Sequence, residues 1–161
     1  MTMRRYYLLL LAVLLLAGCG FQPRGEVTRP PAAMEPLLLR GLAEHHPFLR
    51  ELRRQLERAG VQLATSADEA GGVLRISLKQ ESRIFSVNAN NAAVEYEYLF
   101  TLRFDAEQPP GTSAGSGELQ ARRIVYAPGG QLLGRVREGE MRRRDVYSDL
   151  ARRLIRRLAA L

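Results

Sequence analysis

Residues Val94 to Phe104, VEYEYLFTLRF, constrain the fold more than any other stretch of the chain. Val94, Tyr96, Tyr98, Phe100, Leu102 and Phe104 alternate with Glu95, Glu97, Thr101 and Arg103, and only Leu99 falls out of phase on the polar side. Successive side chains on a strand point to opposite faces, so a period of two gives a half-buried strand with one apolar face that a second layer must cover. The preceding run, Val73 to Val87, starts with the same alternation at Leu74, Ile76 and Leu78. Its apolar phase shifts around Gln80 to Ser82 before Phe85 and Val87, which predicts a bulge or strong twist. Asn88-Ala89-Asn90-Asn91 between the two runs is rich in turn formers, so they read as a hairpin. The tyrosines could form a sugar or lipid platform, but the simpler reading makes them core.

Two amphipathic segments supply the cover. PFLRELRRQLERAG begins at Pro47, whose fixed φ suits the first helical position, and stops at Gly60. Phe48, Leu49, Leu52, Leu56 and Ala59 share one face of that helix. The second is predicted from about Glu138 to Leu161, with Tyr147, Leu150, Ala151, Leu154, Ile155, Leu158 and Leu161 as its apolar stripe and arginines elsewhere. Acids early and arginines late in this span suit the helix dipole. Pro36 to Arg40 reads as a short buried strand and Glu118 to Tyr126 as a further strand. Gln108 to Gly117 reads as a flexible loop by composition, and Ala127-Pro128-Gly129-Gly130 as a second turn. The order β-α-β-β-β-α then predicts an α+β two-layer sandwich, about four strands with both helices packed on one face. The other face and the edge strands are left for a partner.

The N-terminus sets the address. MTMRRYYLLLLAVLLLAG has a basic start, an apolar run of about a dozen residues and small residues at its end, the layout of a secretory signal. The run is short of the roughly 20 residues a spanning helix needs. Cys19 is the only cysteine, so no pairing exists within the chain, and no clustered partners suggest a metal site. Leu16-Ala17-Gly18-Cys19 resembles the bacterial lipobox, which implies a diacylglyceryl group and acyl chains on Cys19 once residues 1–18 are removed. Such chains would hold the protein at a membrane essentially permanently. Residues 19–34, with Pro23, Pro30 and Pro31, read as a lipidated tether, and 35–161 as a single domain. Gly20 stands where an aspartate resembles an inner-membrane retention signal in many such lipoproteins, so the expected address is the outer membrane, periplasmic side.

Composition narrows the partners. The chain has 24 basic and 17 acidic side chains. Loss of residues 1–18 removes Arg4 and Arg5 and no acid, which leaves a net charge of about +5 and an attraction for polyanions. Export argues against nucleic acid. Lys79 is the only lysine; GC-rich codon usage alone would favour arginine, although its planar fork also grips phosphate through two hydrogen bonds. No second cysteine and no placed Ser-His-acid set appears, so no enzyme and no cofactor are expected. His45 and His46 lack metal-ligand spacing and read as exposed loop residues, and Glu95 and Glu97 as solvent-side charges.

Several stretches, in order, resemble the LPS-assembly lipoprotein LptE family: Ala17-Gly18-Cys19-Gly20-Phe21-Gln22, Leu56-Glu57-Arg58-Ala59-Gly60-Val61, Val94-Glu95-Tyr96, and Val146-Tyr147-Ser148-Asp149-Leu150 through Leu154-Ile155-Arg156-Arg157-Leu158. The resemblance implies a non-enzymatic partner of the outer-membrane translocon protein LptD, helping that β-barrel fold, plugging its lumen and binding lipopolysaccharide through basic residues near strand ends and turns. Arg123 and Arg135 match such positions, and Arg122 and Arg137 lie near the same turn. The turn Asn88 to Asn91 carries no basic residue, a departure from the family pattern. The rival expectation is a free-standing lipoprotein that binds anionic lipid or glycan as carrier or scaffold.

Overall fold

The computed structural model describes residues 28–126 and 132–161, and for 132–142 the backbone alone. The expected signal peptide, Cys19 and the turn at Ala127 to Gly130 lie outside the described residues. The elements run β1 (Leu37–Arg40), α1 (Pro47–Arg58), β2 (Gly72–Val87), β3 (Ala93–Glu107), β4 (Ser113–Tyr126) and α2 (Leu132–Leu158). They form one four-stranded sheet in the order β1-β2-β3-β4 with both helices on one face, the predicted α+β sandwich. β1 pairs with β2 in parallel, while β2, β3 and β4 are antiparallel.

The alternation in β3 does what period two requires. Phe100, Leu102, Phe104 and Ala106 are buried beneath Phe48, Leu52 and Leu56 of α1 and Leu150, Leu154 and Leu158 of α2. Tyr147 stands at the centre, edge-on to Phe48 and to Phe100 at ring-centroid distances of 5.9 and 6.0 Å. Burial of its ring raises the Tyr147 phenol above its ordinary value. Met34, at the end of the segment read as a tether, sits in a short 3-10 turn and is fully buried in the same core.

Three local expectations are corrected. The bulge lies at Ile84 to Val87, and the pairing of β2 with β3 is regular through Gln80 and Ser82. Gln80 and Ser82 keep the helix-side phase and are polar because nothing covers β2 there; both are exposed, as is Ile84. The supposed loop is a turn only from Gln108 to Thr112, and β4 begins at Ser113. Its glycines make room: a Cβ on Gly117 would meet the Phe104 ring at 2.9 Å, and one on Gly115 would meet Leu161 at 2.5 Å. Finally, α2 starts at Leu132 rather than Glu138, and its first turn holds no acid.

Both sheet edges are largely open, although Leu63 bridges Leu37 at the start of β1. β1 covers β2 only from Gly72 to Arg75, and the chain then turns away at Gly41, whose φ is +99° and whose absent Cβ would lie 2.2 Å from the Ile76 carbonyl oxygen. Beyond that point the outer edge of β2, and the whole of β4 on its free side, pair with no strand among the described residues. Ile84, Phe85, Val87, Ile124 and Tyr126 are exposed at the same end of the sheet.

Candidate functional site

The arginines expected to act together are divided by the pleat. Arg122 pairs with Leu99 and Arg123 with Tyr98 in the β3–β4 register, so their side chains leave opposite faces of the sheet. Arg122 is on the face away from the helices. There its guanidinium forms an ion pair with Glu97 and sits 6.0 Å from the centre of the Phe85 ring. Arg83, directly across from Glu97 on β2, pairs with the other carboxylate oxygen. Two arginine side chains thus arch over one carboxylate, which is only 5% exposed although it lies on the outer face. Glu97 is therefore not the solvated charge expected from its position. Glu81, Ser82, Leu99 and Gln120 complete an open groove of about 580 Å³ around the three charges.

Ion pairs cover the rest of this face. Arg75 and a backbone bond from Gly111 hold the Glu107 carboxyl below the usual range, and Arg103 with Gln120 does the same for Glu118. Strand positions opposite one another carry opposite charges, so the outer face is largely self-neutralised.

Arg123 stands on the helix side of β4, exposed beyond Ala121, and its guanidinium donates only to the neighbouring Arg122 carbonyl oxygen, at 3.2 Å, among the described residues. Arg135 and Arg137 belong to the first turns of α2 rather than to a loop, and their side chains lie outside the described residues. The Asn88 to Asn91 turn closes on itself: Asn88 Oδ1 accepts from the Asn90 and Ala92 amides, and Asn91 takes a φ of 60°.

His46 is the other correction. It is half-buried, tilted against Tyr147 at 6.1 Å, and its Nδ1 accepts the Phe48 amide at 3.2 Å, capping α1. Burial, with the neighbouring His45, holds its pKa below the ordinary histidine value and so favours the bare acceptor nitrogen. No cluster of metal-ligating side chains occurs among the described residues.

Arg83 and Glu97 were missing from the expected site. The hairpin reading contained the signal, since counting back from the Asn-rich turn along two paired strands brings Arg83 opposite Glu97.

The fold and its charges can now be set against known proteins. A family model described as LptE, lipopolysaccharide-assembly, matches residues 43–158, from the loop before α1 to the last residue of α2. The chain belongs to the LptE family. The LPS-assembly lipoprotein LptE of Pectobacterium atrosepticum is 28% identical over 153 residues, covering 94% of this chain and 82% of its own. The LptE of Yersinia pestis strain Pestoides F is 29% identical over 153 residues, with 94% and 73% covered. Among solved structures, a lipoprotein B from Nitrosomonas europaea superposes with a TM-score of 0.71 at 22% identity, over 88% of this chain and 91% of the other. The rare lipoprotein B of Shewanella oneidensis gives 0.66 at 22% identity, over 77% and 93%. These two show the fold alone. As an LptE-family member the chain has a role in lipopolysaccharide assembly, and no helix among its described residues is long and apolar enough to cross a membrane.

Proposed function

We propose that this chain is an outer-membrane lipoprotein, acylated at Cys19 and facing the periplasm, that assists folding of an LptD-type β-barrel, plugs it, and binds lipopolysaccharide during insertion into the outer leaflet. It catalyses no reaction and needs no cofactor beyond its covalent lipid. The family match over 43–158 carries the reading. Two open sheet edges and the exposed apolar end of the sheet support a protein made to be enclosed by a partner.

The geometry ranks the candidate arginines for lipopolysaccharide. Arg122 is already committed to Glu97, and using it would cost that pair. Arg123 is exposed on the opposite face, beside Tyr98, with its guanidinium engaged only by a neighbouring carbonyl among the described residues. A phosphate of lipid A would take it at little cost. Arg123→Ala should weaken lipopolysaccharide binding about tenfold, while Arg122→Ala should leave it within about twofold. Titration of each variant with purified lipopolysaccharide checks this, and the reverse ranking would contradict it. A carrier of acyl chains is disfavoured, because the grooves among the described residues are open and lined by charged side chains.

A further inference from the structure

Charge is divided unequally between the two layers. The four strands carry seven basic and six acidic side chains, whereas the two helices carry thirteen arginines against six carboxylates. The helices lie side by side in the same direction, with Pro47 near Arg144, Gln55 bonded to Ser148, and Arg58 near Arg152 and Arg156. Between their last turns runs an open groove of about 430 Å³ whose rim is Arg58, Arg152 and Arg156. All three are exposed, and none pairs with a carboxylate among the described residues. Among the described residues, Glu51 is the only acid lining it. Burial pushes that carboxyl up, but hydrogen bonds from Gln55 and Arg54 outweigh the effect and hold it ionised and occupied at the far end. The floor is Ala59 and Ile155, so the groove offers cations around a small apolar base.

A second observation says what the groove faces. Thr28 lines it, so the chain leading back to Cys19 departs from this layer and from neither sheet edge. Eight residues separate Thr28 from Cys19, and a fully extended backbone gains at most about 3.6 Å per residue. The groove therefore stays within roughly 30 Å of whatever holds Cys19. A basic surface kept so close to a bilayer meets its phosphates at high effective concentration, although each arginine alone binds weakly.

We propose that, in the free lipoprotein, the arginine-rimmed groove between α1 and α2 docks on the phosphate headgroups of anionic glycerophospholipids in the leaflet that holds the Cys19 lipid. The docking rests on acylation of Cys19 and is independent of the plug. It lays the helical layer on the membrane and leaves the outer face of the sheet, with Arg75 and Arg103, turned toward the periplasm. In the adjoining groove Arg53 and Arg54 pair with Glu44 and Glu51, and Glu57 also lines the wall, so Arg50 and Arg144 are the residues that extend the same surface.

The test is arginine footprinting of the full mature lipoprotein in vesicles of phosphatidylcholine alone or mixed with phosphatidylglycerol. Phenylglyoxal labels exposed guanidinium groups, and mass spectrometry reads each site. Arg58, Arg152 and Arg156 should react about fivefold more slowly on the anionic vesicles, and high salt should remove the protection. Arg75 and Arg103 on the outer sheet face should not change. Substituting Arg58→Gln, Arg152→Gln and Arg156→Gln together should also release the protection of Arg144. Equal labelling on both vesicles would overturn the docking, as would equal protection by inorganic phosphate without a charged bilayer. The intact mass read in the same experiment reports the acyl group, so an unmodified Cys19 would overturn the anchor and the docking with it, while an acylated chain with equal labelling overturns the docking alone.

Discussion

His46 and Glu97 show how single side chains acquire roles that their neighbours in sequence do not predict. The His46 cap works only while Nδ1 is neutral, and its pKa is depressed in the folded chain. A depressed value means that the unfolded chain binds the proton more readily, so the stabilisation is present above the unfolded value of 6.5 and is lost as pH falls through the folded one. Urea unfolding should show stability dropping between about pH 7 and pH 5. His46→Asn, which retains a capping acceptor, should flatten that part of the profile, and His46→Ala should cost about 1 kcal/mol at neutral pH. A profile unchanged by His46→Asn would assign the slope to other groups. Glu97 is the counterpart on the sheet, a nearly buried carboxylate beneath two largely exposed arginines. Because water screens the arginines, Glu97→Gln should cost about 1–2 kcal/mol rather than the full loss of a buried pair. Arg122→Ala should cost less, since Arg83 still covers the carboxylate. Equal losses for the two substitutions in urea unfolding would contradict this sharing.

At the scale of elements, β3 was legible because its phase, apolar toward the helices and polar away, is broken only at Leu99. β2 was legible as far as Leu78. Beyond it Gln80 and Ser82 mimic a phase shift, because pattern reading assumes that one face is covered along the whole strand, and here the cover stops first. The first residues of β4 were hidden for another reason. Composition marks Gly115 and Gly117 as loop, yet at each a Cβ would crowd a side chain distant in sequence. The two sites should differ in cost. Gly117→Ala presses on the Phe104 ring inside the core and should destabilise by about 1–3 kcal/mol. Gly115→Ala meets only Leu161, a half-exposed terminal residue that can move, and should cost less than about 0.5 kcal/mol. Thermal unfolding of the pair decides it, and equal shifts would mean that Leu161 is held as firmly as Phe104. The expected arginine cluster failed on the same periodicity that identified the strands, since neighbours such as Arg122 and Arg123 cannot share a face.

For the whole molecule, the sandwich divides its work by layer. The helices carry the excess positive charge, the outer sheet face neutralises itself across strands, and the open edges and exposed apolar side chains gather where the sheet outruns its cover. The family was legible in stretches such as the Tyr147 segment, where Tyr147 touches both α1 and β3 and so ties local sequence to the global packing. The central claim is that this chain assembles with and plugs an LptD-type barrel. Its most direct test is purification of the tagged lipoprotein from solubilised outer membranes, with mass spectrometry of whatever accompanies it. The account predicts a stoichiometric barrel protein of the LptD type that survives washing. Recovery of the lipoprotein alone, under conditions in which other outer-membrane complexes persist, would contradict it and favour a free-standing binder of anionic lipid or glycan.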